Sequence, residues 1–513
     1  MRKILMLCHN ELIKISRRMS VIVMTLLMVA GIFAIGGFIR LIYTSSMFYY
    51  DYSVSDPAGR LQELDEEIAK IQQELKGIQT TDSSYESNIS YLLDLRMEEE
   101  RCRMFLEDEC LADIFKNGEN NYMADVVHKL SLLRAADKTV KEYPEATDIC
   151  KERTGEQDAG ESLRLYEELF AAHDFSAYIA LQKESIQKNP YLSDREKAAE
   201  TEAIELYLKA DPNGENMGYA LPNVVSAVKS GKEMLLTNTA QNYNGVSVPL
   251  SAEQRKQLED AVDAAVYKLE NGLISLENDN EASAAEAGMS AMIGVAFFLI
   301  LIMMILLAGS SVSQEITSGS IKSLIISPTR RWKIYVAKLS TLFFTGLLLT
   351  VAAYFLSTAA TLLFFGKLGY EPYVYMLNGT PHLIPPFVYG LLKILIDYLM
   401  VFVFMAFAFM LSIVTRNTAA AVSIPLGTYF VGSTVSAFLL AFGINGEWTK
   451  FLPFSHLSLT NKVFSTESLL TNMSFGAVQL DSSPSLLFSV IYLAVLLFCM
   501  LYTAFDSFTR RDL

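Results

Sequence analysis

The sequence lacks the short motifs that mark the commonest kinds of catalytic site. It contains no GxxxxGK[ST] phosphate-binding loop, no HExxH zinc motif and no GxSxG nucleophile motif. The chain therefore cannot bind and hydrolyse ATP in the P-loop manner, and no Ser/His/Asp grouping indicates a hydrolase. We expect a protein that is not itself an enzyme and that holds no cofactor of its own.

Cysteine and histidine are also scarce, with five of each in 513 residues. Cys102 and Cys110 are eight residues apart on a predicted helix, about 12 Å along its axis, which is too far for a disulfide without a break. A bond from either of them to Cys150 stays open. The pattern argues against a disulfide scaffold, and the spacing of these residues predicts no metal site.

Charge is divided unevenly along the chain. Residues 45–288 hold 24 Lys and Arg against 48 Asp and Glu, whereas the rest of the chain holds 18 against 9. With 51% hydrophobic residues overall, this indicates an acidic soluble insertion in a basic membrane body. The basic residues lie at the ends of apolar runs and form no separate patch, so nucleic-acid binding is not expected.

Long apolar runs predict the fold class. Six of them are long enough to span a bilayer, at about 20–39, 289–308, 334–365, 391–414, 419–442 and 486–505. With both termini cytoplasmic, the inner segments hold 13 Lys and Arg and the short outer loops hold four, as the positive-inside rule requires. We therefore expect an all-α integral membrane protein with six transmembrane helices and a large, mainly helical extracellular domain between the first two.

The predicted domains follow from these runs. Residues 1–44 contain a helix on the inner membrane surface and the first span. The helix has an apolar stripe through Ile4, Cys8, Leu12, Ile15 and Met19, and its polar residues lie largely off that stripe: Lys3, Asn10, Glu11, Lys14, Arg17 and Arg18. Residues 45–288 are the extracellular domain, and 289–513 hold the other spans. A signal peptide is the alternative for the first segment, but no small-residue cleavage site follows its apolar run.

The insertion has one clear helical signature. Apolar residues alternate in steps of three and four, as in a coiled-coil seam, at Leu61, Leu64, Ile68, Ile71, Leu75 and Ile78. This predicts an antiparallel helical hairpin or stalk. The run Glu98, Glu99 and Glu100 is interpreted as solvated charge rather than a cation site, because consecutive helical residues point in different directions. A short strand at 246–250 is the one strand expected here.

Between the second and third runs lies a polar, basic segment, residues 309–338. It contains five cations against the single carboxylate of Glu315; the cations are Lys322, Arg330, Arg331, Lys333 and Lys338. Basic residues beside a span mark the cytoplasmic side. The segment is therefore predicted to be a cytoplasmic loop with a short amphipathic helix, followed by a second helix that begins at Ser327-Pro328.

The order of residues in this loop resembles the coupling loop of ABC-2 type transporter permeases. The matching positions are Glu315, Gly319, Ser320, Leu324, Pro328, Arg330, Arg331 and Lys338. The segment NELIKISRR is similar to the interfacial helix that opens these permeases, and EWTKFLPFSHLSLTNKVF is similar to their outer re-entrant segment, here 445–485. An ordinary amphipathic loop is the alternative for 445–485. The resemblance covers roughly residues 1–44 and 289–513.

The resemblance implies partners as well as a fold. It implies a permease in the bacterial cell membrane that exports a substrate, pairs with a second permease subunit and contacts membrane lipid. A separate ABC ATPase subunit would bind ATP and Mg²⁺ and push the loop, with Glu315, Gly319, Ser320, Leu324, Pro328, Arg330 and Arg331 at or near the contact. The substrate is not identifiable from the sequence.

Three residues in or near the spans are candidate pathway or gate residues: Asp397, Pro425 and Pro453. A carboxylate inside a span is costly, so Asp397 should face protein or water, and a pair with Lys393 one turn away is the simpler interpretation. Pro425 can kink its helix. Gly432 and Ser436 form a small-xxx-small pattern that predicts a close helix contact.

Two other functions remain open from the residues alone. A non-transporting receptor or scaffold would use the extracellular domain to bind a ligand, with the spans as an anchor. A secondary transporter would be expected to have more ionisable residues within its spans than Asp397. Co-purification with a P-loop ATPase would distinguish the permease from both.

Overall fold

The computed structural model describes most of the chain. The described residues are 2–44, 56–78, 83–108, 111, 122–155, 159–189, 192–214, 220–241, 247–274, 279–318, 330–441, 447–466, 469 and 484–510. By their internal contacts they form two compact units, one of residues 1–41, 230–265 and 283–513 and the other of residues 42–229 and 266–282. We refer to them as the membrane unit and the insertion unit.

Helices make up most of the described residues. In chain order they are α1 Arg2–Ser16, α2 Met19–Thr44, α3 Pro57–Leu75, α4 Ser83–Glu107, α5 Tyr122–Glu142, α6 Thr147–Thr154, α7 Ala159–Ala172, α8 Phe175–Lys188, α9 Asp194–Ala210, α10 Ala220–Thr237, α11 Ala252–Glu270, α12 Asp279–Ser310, α13 Ser313–Thr317, α14 Arg331–Phe365, α15 Pro386–Thr415, α16 Thr418–Ala441, α17 Leu459–Val463 and α18 Leu486–Arg510. Short 3₁₀ turns occur at Pro144–Ala146, Glu447–Phe451 and Pro453–His456.

Five helical segments within the described residues are long and apolar enough to cross a membrane. They are Met19–Ile42, Ala284–Thr317, Arg331–Phe365, Pro386–Thr415 and Leu486–Arg510. The predicted fifth run lies in α16, where the apolar stretch Thr418–Gly432 is shorter than the others. The chain is thus a mainly α-helical, multi-pass membrane protein, as the apolar runs predicted.

In the membrane unit, α15 lies among α14, α16 and α18 and packs against all three. Its inward side chains, such as Phe409 and Tyr398, are almost completely buried. The Phe409 ring lies 5.5 Å from that of Tyr335 on α14, and the Tyr398 hydroxyl donates to the carbonyl of Phe343 at 2.6 Å. Aromatic packing with a satisfied hydroxyl therefore joins α14 to α15.

Glycine allows two of these helices to approach closely. A Cβ atom added at Gly309, near the end of α12, would lie 2.7 Å from Val422 and 3.0 Å from the carbonyl oxygen of Ala421 on α16. Any side chain at this position would push α12 and α16 apart. The C-terminal end of α12 is therefore closely packed where the loop 309–338 begins.

The short loop between α14 and α15 contains a β-hairpin that the sequence analysis missed. Strands β3, Tyr373–Leu377, and β4, Thr380–Ile384, pair antiparallel. The turn residues Asn378 and Gly379 both have positive φ, 53° and 76°, as a two-residue type I′ turn requires. An Asn-Gly pair between two runs rich in tyrosine and leucine was the signal that could have predicted it.

A second strand pair agrees better with expectation. Strand β2, Ser247–Pro249, lies within the segment predicted as extended and pairs antiparallel with β1, Thr239–Gln241. Strands β1 and β2 both belong to the membrane unit. The expected short strand therefore exists, and its partner is the segment that follows α10.

The insertion unit is built on three long antiparallel helices. The predicted seam of α3 is confirmed, since Leu64, Ile68, Ile71 and Leu75 are its buried residues. The guanidinium of Arg60, at the start of α3, lies 2.7 Å from Glu98, near the end of α4, which shows that these helices run antiparallel. Helix α5 packs along the other side of α4.

The interpretation of Glu98, Glu99 and Glu100 as solvated charge was wrong for two of the three. Glu99 and Glu100 are only 8% and 5% exposed. Lys138 of α5 forms ion pairs with both of them, because α5 covers this side of α4. Glu99 and Glu100 therefore join α4 to α5. Cys150 is a buried free thiol, so the disulfide that the sequence left open is not formed.

Candidate functional site

A buried lysine of α14 lies between two glutamates, one in the loop 309–338 and one in α1. The Nζ atom of Lys338, on α14, lies 2.9 Å from Oε1 of Glu315 on α13 and 3.0 Å from Oε2 of Glu11 on α1. The Lys338 side chain is 2% exposed, and the glutamates are 14% and 16% exposed. One ammonium group therefore joins three separate helices.

Lys14 of α1 completes this group of charges. Its Nζ atom lies 2.9 Å from Oε1 of Glu11 and 3.4 Å from Oε1 of Glu315. We call Glu11, Lys14, Glu315 and Lys338 the ionic cluster. Two cations balance two carboxylates, and such balance is what permits charged side chains to remain in a shielded place.

Pairing keeps Glu11 ionised. Burial raises the pKa of Glu11, but attraction to Lys338 and hydrogen bonding to Lys14 outweigh it, so the pKa lies below its ordinary value of 4.5. A lowered pKa means that the folded state favours the ionised form. The resulting stabilisation is present above about pH 4.5 and is lost as the pH falls through the folded-state pKa of Glu11.

Two hydrogen bonds from side chains to backbone carbonyls hold α1 against α14 and so place Glu11 beside Lys338. The Cys8 thiol donates to the carbonyl of Ala337 at 3.6 Å, and the Thr341 hydroxyl donates to the carbonyl of Cys8 at 3.4 Å. Cys8, Glu11 and the buried Ile15 recur at helical spacing, so one face of α1 rests on α14. The predicted apolar stripe of α1 is therefore only partly packed against protein. Cys8 and Ile15 contact protein, whereas Leu12 is 45% exposed.

The turn that leads into α13 is also fixed. The backbone amides of Val312 and Ser313 donate to Oγ of Ser412, on α15, at 3.3 and 3.0 Å. The Ser313 hydroxyl lies 2.8 Å from that of Thr418 on α16. The first turn of the loop is thus bound to α15, to the start of α16 and, through Glu315, to α14.

Only some of the predicted coupling residues lie within the part of the chain that the structure describes. Gly319, Ser320, Leu324 and Pro328 lie outside the described residues. Glu315 is a member of the ionic cluster.

The two arginines of the loop lie at its other end. Arg330 is exposed and directly precedes α14. The Nη1 atom of Arg331 donates to the carbonyl of Thr509, on α18, at 3.4 Å. The described coupling residues therefore fall at the two ends of the loop, and the ionic cluster joins Glu315 at one end to Lys338 of α14 at the other.

The sequence analysis missed two members of the cluster and misjudged a third. Glu11 and Lys14 were expected only as the polar side of a surface helix, and Lys338 was counted among the surface charges of the loop. A lysine inside an apolar run is a charge that must find a partner, and this was the available signal. Its partner Glu11 is 327 residues away, so no local pattern could identify it.

Asp397 lies towards the other end of α15. It accepts a hydrogen bond from the hydroxyl of Thr460, on α17, and Thr460 is only 4% exposed. The expected neighbour Lys393 has its ammonium group 5.3 Å from the ring centre of Tyr370 and 5.5 Å from that of Tyr389. Asp397 therefore fixes to α15 the segment 447–466, which was predicted to be on the outer side and is called the outer segment below. The sequence did not predict this contact.

Removing the Thr460 hydroxyl should destabilise the membrane unit more than removing the charge of Asp397. We expect Thr460→Val to cost about 1–3 kcal/mol, because it leaves Asp397 without this donor, whereas Asp397→Asn keeps an acceptor oxygen and should cost less. Thermal unfolding in detergent measures both. Thr428→Val is the control, since the exposed Thr428 hydroxyl bonds only within its own helix, to Ile424 at 2.8 Å. Equal melting temperatures for Thr460→Val and Thr428→Val would contradict the prediction.

The outer segment 447–466 is bound to α18 by polar groups around one histidine. His456 is fully buried, with Nδ1 3.1 Å from the Ser489 hydroxyl and Nε2 2.8 Å from the carbonyl of Lys450. The Lys462 ammonium donates to the same Ser489 hydroxyl at 2.7 Å. Pro453, a candidate gate residue, opens the 3₁₀ turn that contains His456. The segment is thus held closely against the helix that follows it.

The remaining candidates lie in α16. Pro425 is inside this helix, as predicted. Gly432 is close to the ring of Phe454, in the outer 3₁₀ turn, and a Cβ at Gly432 would overlap that ring. The close contact predicted from Gly432 therefore exists, but it is made to the outer segment rather than to another spanning helix. The Ser436 side chain lies outside the described residues.

The family match covers the C-terminal part of the chain. Residues 264–513 match a family model described as "Protein of unknown function (DUF2705)". The chain is 30% identical over 212 residues to the "Uncharacterized protein YhcI" of Bacillus subtilis (strain 168), which is 41% of this chain and 63% of that relative. No solved structure matches. The matched family region contains Glu315, Lys338 and Asp397 but not Glu11.

Proposed function

We propose that this chain is the membrane-spanning permease subunit of an ATP-driven ABC-2 type transporter, an exporter of the bacterial cell membrane. It is not catalytic itself. A separate ATPase subunit binds ATP and Mg²⁺ and drives it through the loop 309–338. The apolar helices support a membrane role, and the lack of a phosphate-binding loop means that ATP-driven work would have to come from a partner.

The observation that carries the proposal is the ionic cluster. A coupling site must pass a displacement of the loop on to the spanning helices rather than absorb it. Glu315 is in the loop, and Lys338 and Glu11 connect it to α14 and α1 at distances of 2.9 and 3.0 Å. Because breaking a buried ion pair is costly, movement of the loop would move α14 and α1 with it.

In this scheme the chain has six spans, with α16 as the fifth. Both termini and the loop are cytoplasmic, and residues 45–288 are extracellular. Two such subunits, identical or different, would enclose the pathway, and two ATPase subunits would lie beneath them. Rigid tilting of the helices around the pathway would then change access between the two sides, as in other transporters that move by rigid-body rotation.

A double charge reversal tests the coupling. Arg330→Glu with Arg331→Glu should abolish transport and weaken binding of the ATPase, because both cations lie at the end of the loop that meets α14. Membrane insertion should be unchanged. The measurements are co-purification of the ATPase from detergent and substrate-stimulated ATP hydrolysis in proteoliposomes.

The matched control is a double reversal in the insertion. Arg164 and Lys188 are 79% and 72% exposed and form single-turn pairs within their own helices, so Arg164→Glu with Lys188→Glu should leave coupling intact. Normal coupling in the Arg330/Arg331 variant would overturn the proposal. Failure of any P-loop ATPase to co-purify with the wild-type chain would favour a receptor or scaffold.

A further inference from the structure

Helix α1 has an exposed apolar face that the bundle does not cover. Leu5, Met6, Leu12 and Ile13 are 68%, 57%, 45% and 38% exposed. At 100° per residue they occupy one broad sector of the helix, away from the Cys8, Glu11 and Ile15 face that contacts α14. The helix therefore has two apolar faces, and only one of them is packed against protein within the described residues.

The sequence around this face is strongly basic. Residues 2–18 hold five cations and one carboxylate; the cations are Arg2, Lys3, Lys14, Arg17 and Arg18. Lys14 is engaged in the ionic cluster, and Arg18 donates to the Ser310 hydroxyl at 2.8 Å. Arg17 is exposed on the side that borders Met6 and Ile13. The uncovered apolar face thus has a cationic margin, which complements an anionic surface.

The position of α1 identifies the surface that this face meets. The helix ends at Ser16, and the spanning helix α2 begins at Met19, so only two residues separate α1 from a segment that enters the bilayer. A helix joined so closely to a span, with an apolar face and a basic margin, lies in the plane of the headgroups. Continuity with the span favours lipid over a protein partner.

We propose that the Leu5, Met6, Leu12 and Ile13 face of α1 binds anionic phospholipid at the inner leaflet, and that this binding holds Glu11 on Lys338 and so orders the first turn of the loop. The assignment to the inner leaflet rests on the proposed function. One helix touches the membrane on one face and the ionic cluster on another, at 3.0 Å from Lys338. Lipid charge then regulates how firmly the loop is attached to α14.

The test compares the full chain, without any ATPase, in two kinds of nanodisc. One contains phosphatidylcholine alone and the other contains phosphatidylcholine mixed with phosphatidylglycerol. Hydrogen exchange is followed in two peptides, one covering α1 and one covering residues 309–318. We expect slower exchange of both peptides in the discs with phosphatidylglycerol. Added salt should reduce this difference, because salt screens the attraction between the cations and the headgroups.

Three variants separate the parts of the proposal. Arg17→Gln should reduce the phosphatidylglycerol effect on α1 about fivefold, the factor that corresponds to about 1 kcal/mol per cation near an anionic membrane. Leu5→Ser with Leu12→Ser should speed the exchange of α1 in both lipids. Glu11→Gln should leave the lipid effect on α1 but remove the one on residues 309–318. Arg510→Gln, at an exposed cation with a 78% exposed side chain, is the control and should change neither.

Two results would overturn the proposal. Equal exchange of α1 in the two kinds of nanodisc would exclude a preference for anionic lipid. A parallel sample contains the ATPase that co-purifies with the chain, and protection of α1 that appears only in that sample would make this face a protein-docking surface instead. Because the experiment needs neither transport nor ATP, its outcome is independent of whether Arg330 and Arg331 couple to an ATPase.

Discussion

Replacing Lys338 with methionine will leave two shielded carboxylates without their shared cation, and we expect a loss of about 3 kcal/mol in the stability of the membrane unit. Lys338 is 2% exposed and lies within 3.0 Å of both Glu11 and Glu315. Removal of one partner from a buried ion group costs about 3–5 kcal/mol. The lower end applies because Lys14 still contacts both carboxylates. Thermal unfolding of the purified protein in detergent measures the loss.

The matched control lies on the same helix. Lys333 is partly exposed, with Nζ 5.6 Å from the ring centre of Trp332, so Lys333→Met removes an equal charge and leaves no carboxylate uncompensated. It should change the melting temperature little. If Lys333→Met and Lys338→Met unfold at the same temperature, the ionic cluster does not stabilise the bundle.

A triple variant separates stability from coupling. Lys338→Met with Glu11→Gln and Glu315→Gln leaves only the charge of Lys14, whose side chain is 50% exposed and can be solvated by water, and replacement of a buried ion group by neutral residues is often nearly neutral. We expect it to regain most of the stability that Lys338→Met loses. If the ionic cluster passes movement to α14, ATP hydrolysis in this variant should stay uncoupled from transport although the fold is restored. Restored coupling would mean that the cluster is only structural.

Local sequence patterns predicted the helices well because the residues that determine a helix are close together in the sequence. The seam of α3 is a repeat within one helix, and Leu64, Ile68, Ile71 and Leu75 are buried as expected. The apolar runs are local as well, and five of them correspond to long apolar helices among the described residues. The outer hairpin was missed because its prolines favoured an irregular loop, yet Pro381 lies on the exposed strand β4, where proline is tolerated.

The contacts that define the candidate site could not be predicted in this way. Glu99 is buried because α5 covers it, and Lys338 is buried because α1 packs against α14. Helix α1 is far from Lys338 in the sequence. Glu11 and Lys338 are 327 residues apart, and Asp397 and Thr460 are 63 apart. A single sequence specifies which charges need partners, but the tertiary packing decides which partners they find.

The contact between α16 and the outer segment provides the second large prediction. We expect Gly432→Ala to displace the turn Pro453–His456 and to cost about 3 kcal/mol, because the added Cβ would overlap the ring of Phe454, and overpacking costs about 1–3 kcal/mol. Thermal unfolding measures the cost, and hydrogen exchange of residues 447–466 measures the displacement. His456 should become more accessible, since its burial depends on this turn.

Gly427→Ala is the control within the same helix, because nothing lies within 4 Å of a Cβ added there. It should be neutral or stabilise α16 slightly, since alanine favours helix more than glycine does. A double-mutant cycle then identifies the cause. In the Phe454→Ala background, Gly432→Ala should cost much less than in the wild type, because the ring that it overlaps is gone. An equal cost in both backgrounds would mean that Gly432 is needed for some reason other than Phe454, and that this contact does not hold residues 447–466 in place.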